Sequence, residues 1–125
     1  MRKFHWRHPL DPELKIAGID TNVGLKRIGG KRERYESLLH KFAGRQVGAA
    51  EAIRAALLVG DTSTAEREAH SLKGAASTLG ATALAERAEK VETAIKTGQS
   101  VDEALESLSL CLVSVVEAIR AALPV

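Results

Sequence analysis

One helix-like run in this sequence carries the residue types for covalent group transfer. The stretch Glu66–Ala81 (EREAHSLKGAASTLGA) holds His70, with Lys73 and Gly74 three and four residues later. A neutral imidazole nitrogen can attack phosphorus and carry the phosphoryl group covalently. A lysine one helical turn away supplies a cation near the phosphoryl oxygens, the electrostatic help that such a transfer needs. Glycine inside a helix costs about 1 kcal/mol relative to alanine, so Gly74 needs a reason. The missing side chain leaves an open notch one turn from the imidazole, where a partner's backbone or loops can come close.

That chemistry requires the histidine to face water. At about 100° per residue, Ala65, Ala69, Leu72, Ala76 and Leu79 gather on one face of the run and His70 points away from them. Ser63, Glu66, Arg67, Lys73, Gly74 and Ser77 fall within about 60° of His70 by the same count. The charge of Lys73 favours the neutral imidazole, and Glu66 opposes it. Ser77 extends the clearance beside Gly74.

The elements that hold this face in place are helical. Proline occurs only at Pro9, Pro12 and Pro124; alanine, leucine, glutamate and arginine dominate, and strand-like alternation is absent. The punctuation predicts a short helix near 21–28, capped by Asp20 or Thr21 and ended by Gly29-Gly30. Four longer helices follow near 31–59, 62–79, 81–97 and 101–122. Gly60, Gly80 and Gly98 act as C-terminal stops, Asp61 as an N-cap, and Ser100 or Asp102 as the start of the last helix. Short joints make neighbours antiparallel, so the expectation is an all-α fold: an antiparallel up-down four-helix bundle with a short extra N-terminal helix. The core stripes are Tyr35, Leu39, Phe42, Ala50, Ile53 and Leu57; Leu84, Ala88, Val91 and Ile95; and Leu105, Leu108, Leu112, Val115, Val116 and Ile119. Gln46 falls on the first stripe, and Gly44 and Gly48 weaken that helix enough to allow a kink. The bundle domain is placed at 19–125, behind a tail or linker at 1–18.

Composition narrows the classes. The chain has 125 residues, a normal size for one domain. Its lone cysteine, Cys111, excludes an internal disulfide, fits a reducing compartment and reads as a buried, inert thiol among leucines. No apolar run is long enough to span a membrane, and the basic N-terminus lacks the apolar region of a secretory signal. Net charge is +2 overall, with +5 over residues 1–34 and −3 over residues 35–125. A nucleic-acid binder concentrates positive charge and aromatics on its folded body; this body is mildly acidic, and aromatics are 3% of the chain. His5 and His8 flank Trp6 and offer two metal ligands, but a linker is the favoured reading of that segment. His40 reads as a solvated residue. No catalytic triad, glycine-rich phosphate loop or zinc pattern is present.

The segment Ala69-His70-Ser71-Leu72-Lys73-Gly74-Ala75-Ala76, followed by Leu79-Gly80-Ala81, resembles the signature of histidine-containing phosphotransfer (HPt) domains. Ile19-Asp20, Gly24-Leu25, Arg27 and Gly29-Gly30 resemble the family's short first helix, and Tyr35, Leu38-Leu39 and Phe42 the start of its second. The resemblance covers about residues 19–122 and fits the hybrid-sensor-kinase phosphorelay type. It implies a phosphoryl carrier without its own ATP site, which takes a phosphoryl group from a receiver phospho-aspartate and passes it to another receiver. His70 would accept the phosphoryl group, Lys73 stabilise it and Gly74 provide clearance. Receiver domains would dock around Ile28, Leu38, Arg45, Gln46, Glu66, Arg67 and Ser77, with Gln46 able to reach toward the phosphoryl site. No cofactor or metal of its own is implied, since Mg²⁺ belongs to the receiver. The expected state is a cytoplasmic monomer serving a hybrid sensor histidine kinase and response regulators, without nucleic-acid or membrane binding.

Competing readings are a chemotaxis-type kinase phosphotransfer domain, charged from ATP by a separate catalytic domain, and a helical interaction module without phosphate chemistry. An autophosphorylating dimerisation domain fits less well, because Ser71 stands where an acidic residue normally follows the histidine. Binding of nucleic acid or anionic lipid through the basic tail is a further class.

Overall fold

Helix starts and stops follow the punctuation closely. The computed structural model describes residues 14–123. It contains α1 (Thr21–Arg27), α2 (Arg32–Gln46), α3 (Ala49–Leu58), α4 (Thr62–Leu79), α5 (Thr82–Thr97) and α6 (Asp102–Ala122). Among the described residues there is no strand, only an isolated bridge between Ile16 and Ile19. Asp20 caps α1 by accepting from the Val23 amide at 3.1 Å, and Asp61 caps α4 through the Thr64 amide at 3.1 Å. Gly80 and Gly98 end α4 and α5 in the left-handed conformation. At α6 neither Ser100 nor Asp102 caps: Val101 holds the cap position without a side-chain bond. Asp102 and Glu103 lie in the first turn instead, where the helix dipole favours them.

The apolar stripes meet in one core. Tyr35, Leu39, Ile53, Leu72, Leu84, Val91, Leu108, Leu112, Val116 and Ile119 are among its fully buried side chains. Each such burial is worth roughly 1.5–3 kcal/mol. α4 packs against α5 and α3 and also touches α1 and α2; α6 closes on α5, α2 and α3. The α4–α5 pair is the most extensive of these, and it carries the site described below.

Two boundaries differ from expectation. The helix predicted over 31–59 is two helices, separated by Val47 and Gly48. At Gly48 ψ is 7°, outside the helical range. Two low-propensity glycines, Gly44 and Gly48, make this the cheapest place to break the helix. Packing also begins before residue 19. Ile16 is 5% exposed within the core, and the Thr21 hydroxyl donates to the Leu14 carbonyl at 2.6 Å. Ile16 lies with Leu14, Ala17 and Ile19 in an apolar stretch too short to show a helical or strand period, so the sequence gives no sign of its burial. His5, Trp6 and His8 lie outside the described residues.

α1 works as a latch on the C-terminal end of α4. The Asp20 amide donates to the Gly80 carbonyl at 2.8 Å, and the Tyr35 hydroxyl to the Leu79 carbonyl at 2.6 Å. Arg27 donates to the Ser77 carbonyl. These bonds satisfy carbonyls that a helix end leaves without an intrahelical partner. Burial, with Asp20's charge nearby, pushes the Tyr35 phenol up to about 12, so it remains a donor at neutral pH. The approach is so close that a Cβ at Gly24 would collide with the Leu79 carbonyl and the Tyr35 hydroxyl. Gly24→Ala should therefore destabilise the fold by about 1–3 kcal/mol, read as a lower urea midpoint at unchanged slope. A midpoint equal to that of the unsubstituted protein would show that the latch yields.

Candidate functional site

His70 stands on α4, with its side chain 66% exposed, and its surroundings come from α5. Nδ1 lies 2.8 Å from Oε2 of Glu92. Glu92 is only 4% exposed and is the one charged residue buried among those described. Lys73 places its Nζ 3.0 Å from the other oxygen, Oε1, and Lys96 places its Nζ 3.3 Å from Oε2. Glu66 reaches the same Lys96 ammonium at 4.0 Å. One carboxylate thus accepts from an imidazole and two ammonium groups.

This arrangement fixes a tautomer. An ionised carboxylate only accepts hydrogen bonds, so the imidazole proton must sit on Nδ1. The lone pair of the neutral ring is then on Nε2, which has no bonding partner among the described residues. Glu92 stays ionised despite its burial. Burial raises its pKa, but the hydrogen bonds from Lys73, His70 and Lys96, with the charge of Lys73, outweigh that and hold it at about 2.

Two hollows flank the histidine. Toward the C-terminal part of α4, a groove of about 260 Å³ runs between α2 and α4. Its walls include Leu38, Phe42, Arg45 and Gln46 from α2 and Gly74, Ala75 and Thr78 from α4. A Cβ built on Gly74 would meet nothing within 4 Å, so internal packing does not require this glycine. On the other side, Ser63, Glu66, Arg67, His70, Glu92 and Lys96 line an open hollow between α4 and α5.

The sequence of the Hpt domain family matches residues 37–122. The chain belongs to the Hpt domain family. The Hpt fold is also seen in a solved structure, the HPT domain from a sensor hybrid histidine kinase from Shewanella. The two align with a TM-score of 0.73 at 20% identity, over 83% of this chain and 92% of that one. A search of curated proteins returns no match. Hpt domains are phosphotransfer carriers of phosphorelays and work with receiver domains, and that is the role of this chain.

Within this Hpt domain the residues singled out from sequence fall into three groups. Leu38, Arg45 and Gln46 share the groove with Gly74. Glu66 and Arg67 share the hollow with His70. Ile28, the C-cap of α1, is half-buried against the core, and the Ser77 carbonyl serves the α1 latch; neither lines either hollow. The carboxylate on the imidazole is Glu92, not Glu66, whose reach is to Lys96. Glu92 and Lys96 were not found from sequence. Counting equal numbers of residues from the Gly80-Ala81 turn brings His70 level with Val91 and Glu92. An acidic residue beside the apolar stripe of α5 was the available signal.

The depressed carboxyl predicts an acid-dependent stability. Glu92 titrates at about 2 in the fold against an ordinary 4.5. The unfolded chain binds the proton first, so this contribution is complete above the ordinary value and is lost as pH falls toward the folded one. Chemical denaturation between pH 5 and pH 2 should show the loss, flatter in Glu92→Gln. Parallel profiles for the two proteins would argue against the network.

Proposed function

We propose that His70 Nε2 is the phosphoryl acceptor of this Hpt domain. The observation that carries the reading is the exposed imidazole whose Nδ1 is held by the buried Glu92. Nε2 attacks the phosphorus of a receiver's aspartyl phosphate, the acyl phosphate P–O bond breaks, and the aspartate leaves as carboxylate. No proton moves beforehand, because Nδ1 already carries one. The product ring is a phospho-imidazolium, and Glu92 offsets its positive charge. When the next receiver's aspartate attacks phosphorus, the P–N bond breaks and the ring leaves as the same neutral Nδ1–H tautomer.

The remaining parts have roles set by their positions. Lys73 is the cation nearest the reaction on α4. Gly74 and the groove edged by Leu38, Arg45 and Gln46 admit the receiver, with Glu66 and Arg67 on the opposite rim. Ile28 and Ser77 would contribute at the border, near the α1 latch. Counting α2 and α3 as one broken helix makes the chain an antiparallel up-down four-helix bundle, with α1 as the short extra element. No helix among the described residues is long and apolar enough to cross a membrane. We place the protein in the cytoplasm as a monomer between a hybrid sensor histidine kinase and its response regulators. It carries phosphate without an ATP site or a metal of its own, and Mg²⁺ comes with the receiver.

The test is to mix the domain with a phosphorylated receiver and Mg²⁺. Acid-labile, alkali-stable label is expected on the unsubstituted protein and none on His70→Gln; label on the variant would end the assignment. Gly74→Leu should fold with undiminished stability, since leucine is the better helix former by about 0.8 kcal/mol. Its transfer should be at least tenfold slower, because the side chain fills the approach path. Unchanged transfer would remove the clearance role.

A further inference from the structure

We propose that Lys96 is a second phosphoryl-binding cation, and that Glu92 hands both Lys96 and Lys73 to the phosphoryl group once His70 is modified. This rests on the reading of His70 as the phosphoryl acceptor. In the resting site a single carboxylate engages three donors. Its Oε2 serves His70 Nδ1 at 2.8 Å and Lys96 at the longer 3.3 Å, which sets the Lys96 ammonium one oxygen atom away from the ring. The Lys96 side chain is 53% exposed and its second acidic neighbour, Glu66, is 4.0 Å away. The head group is thus held loosely on a long flexible stem. Arg67, the other cation of that hollow, is drawn toward the start of α4, where it donates to the Thr64 hydroxyl at 3.4 Å.

The charge balance calls for a second cation. A phosphoryl dianion on Nε2 places two negative charges beside the one already on Glu92. The imidazolium proton keeps its bond to Glu92. Lys73 and Lys96 together then match the dianion, and each is attracted more strongly to it than to a carboxylate already shared with the ring. Lys73 approaches from α4 and Lys96 from α5, so the two would hold the phosphoryl oxygens from either side. The resting contacts with Glu92 keep both ammonium groups near the ring before the phosphoryl group arrives.

Phosphoramidate tests this without a protein partner. Nε2 attacks its phosphorus, the donor's P–N bond breaks, and ammonia leaves with the proton that the zwitterionic donor carries on nitrogen. Lys96→Met should label roughly threefold more slowly, the scale of one exposed charge pair, and Lys96→Arg should label at the unsubstituted rate. The phosphoryl titration midpoint, followed by ³¹P NMR, should move upward in Lys96→Met. In a Glu92→Gln background Lys96→Met should still slow labelling; no effect there would mean that Lys96 only neutralises Glu92, and would overturn the proposal. Equal rates and midpoints for Lys96→Met and the unsubstituted protein would overturn it as well. Absence of label on His70 in the unsubstituted protein would sink the acceptor assignment and this proposal together.

Discussion

A buried carboxylate holding an exposed imidazole is the interaction on which the site depends. Burying a charge costs several kcal/mol unless partners compensate it. Glu92 has three partners, and each faces outward from it toward solvent: His70, Lys73 and Lys96. The chain therefore accepts an anion at the edge of its core in order to fix the proton position of a ring on its surface. With an apolar residue at 92, the ring would have no partner to select its tautomer. The lysines would also lose the anchor that gathers them there.

The α4–α5 hairpin makes this contact possible. Its Gly80 turn is tight, and the register it sets brings the middle of one helix against the middle of the other. The same glycine lets α1 approach, since its left-handed conformation and missing Cβ leave room for the Asp20 carbonyl. Gly74 is of another kind. A Cβ there would meet nothing within 4 Å, and the proposed function gives that vacancy a use as clearance for a partner. The two glycines mark the end and the middle of α4, yet only the first is required by the packing.

Much of this was legible in the sequence because it is periodic or punctuated. The face opposite Ala65, Ala69, Leu72, Ala76 and Leu79 had to be wet, and His70 was on it. Asp20, Asp61, Gly80 and Gly98 marked helix ends through local chemistry that needs no tertiary context. What stayed hidden was relational. Glu92 looked like one more acidic residue on an amphipathic helix, because a one-helix reading cannot show which residue of the neighbouring helix an exposed histidine meets. The break after Gln46 was half visible through Gly44 and Gly48, though the exact turn depends on how α2 and α3 each lie on α6. Ile16 was missed for want of a pattern altogether.

The fixing of α4 at both ends bears on where the motion in a transfer reaction must occur. Asp61 ties down its first turn, and α1 with Tyr35 ties down its last. Opening the middle would expose Leu72 and Ala69 and so approach the cost of unfolding the whole domain. The imidazole of His70 thus stands on a fixed post. If His70 is the acceptor as proposed, the motion that aligns phosphorus with the ring falls to the visiting protein, and differences in speed among visitors would reflect their own plasticity.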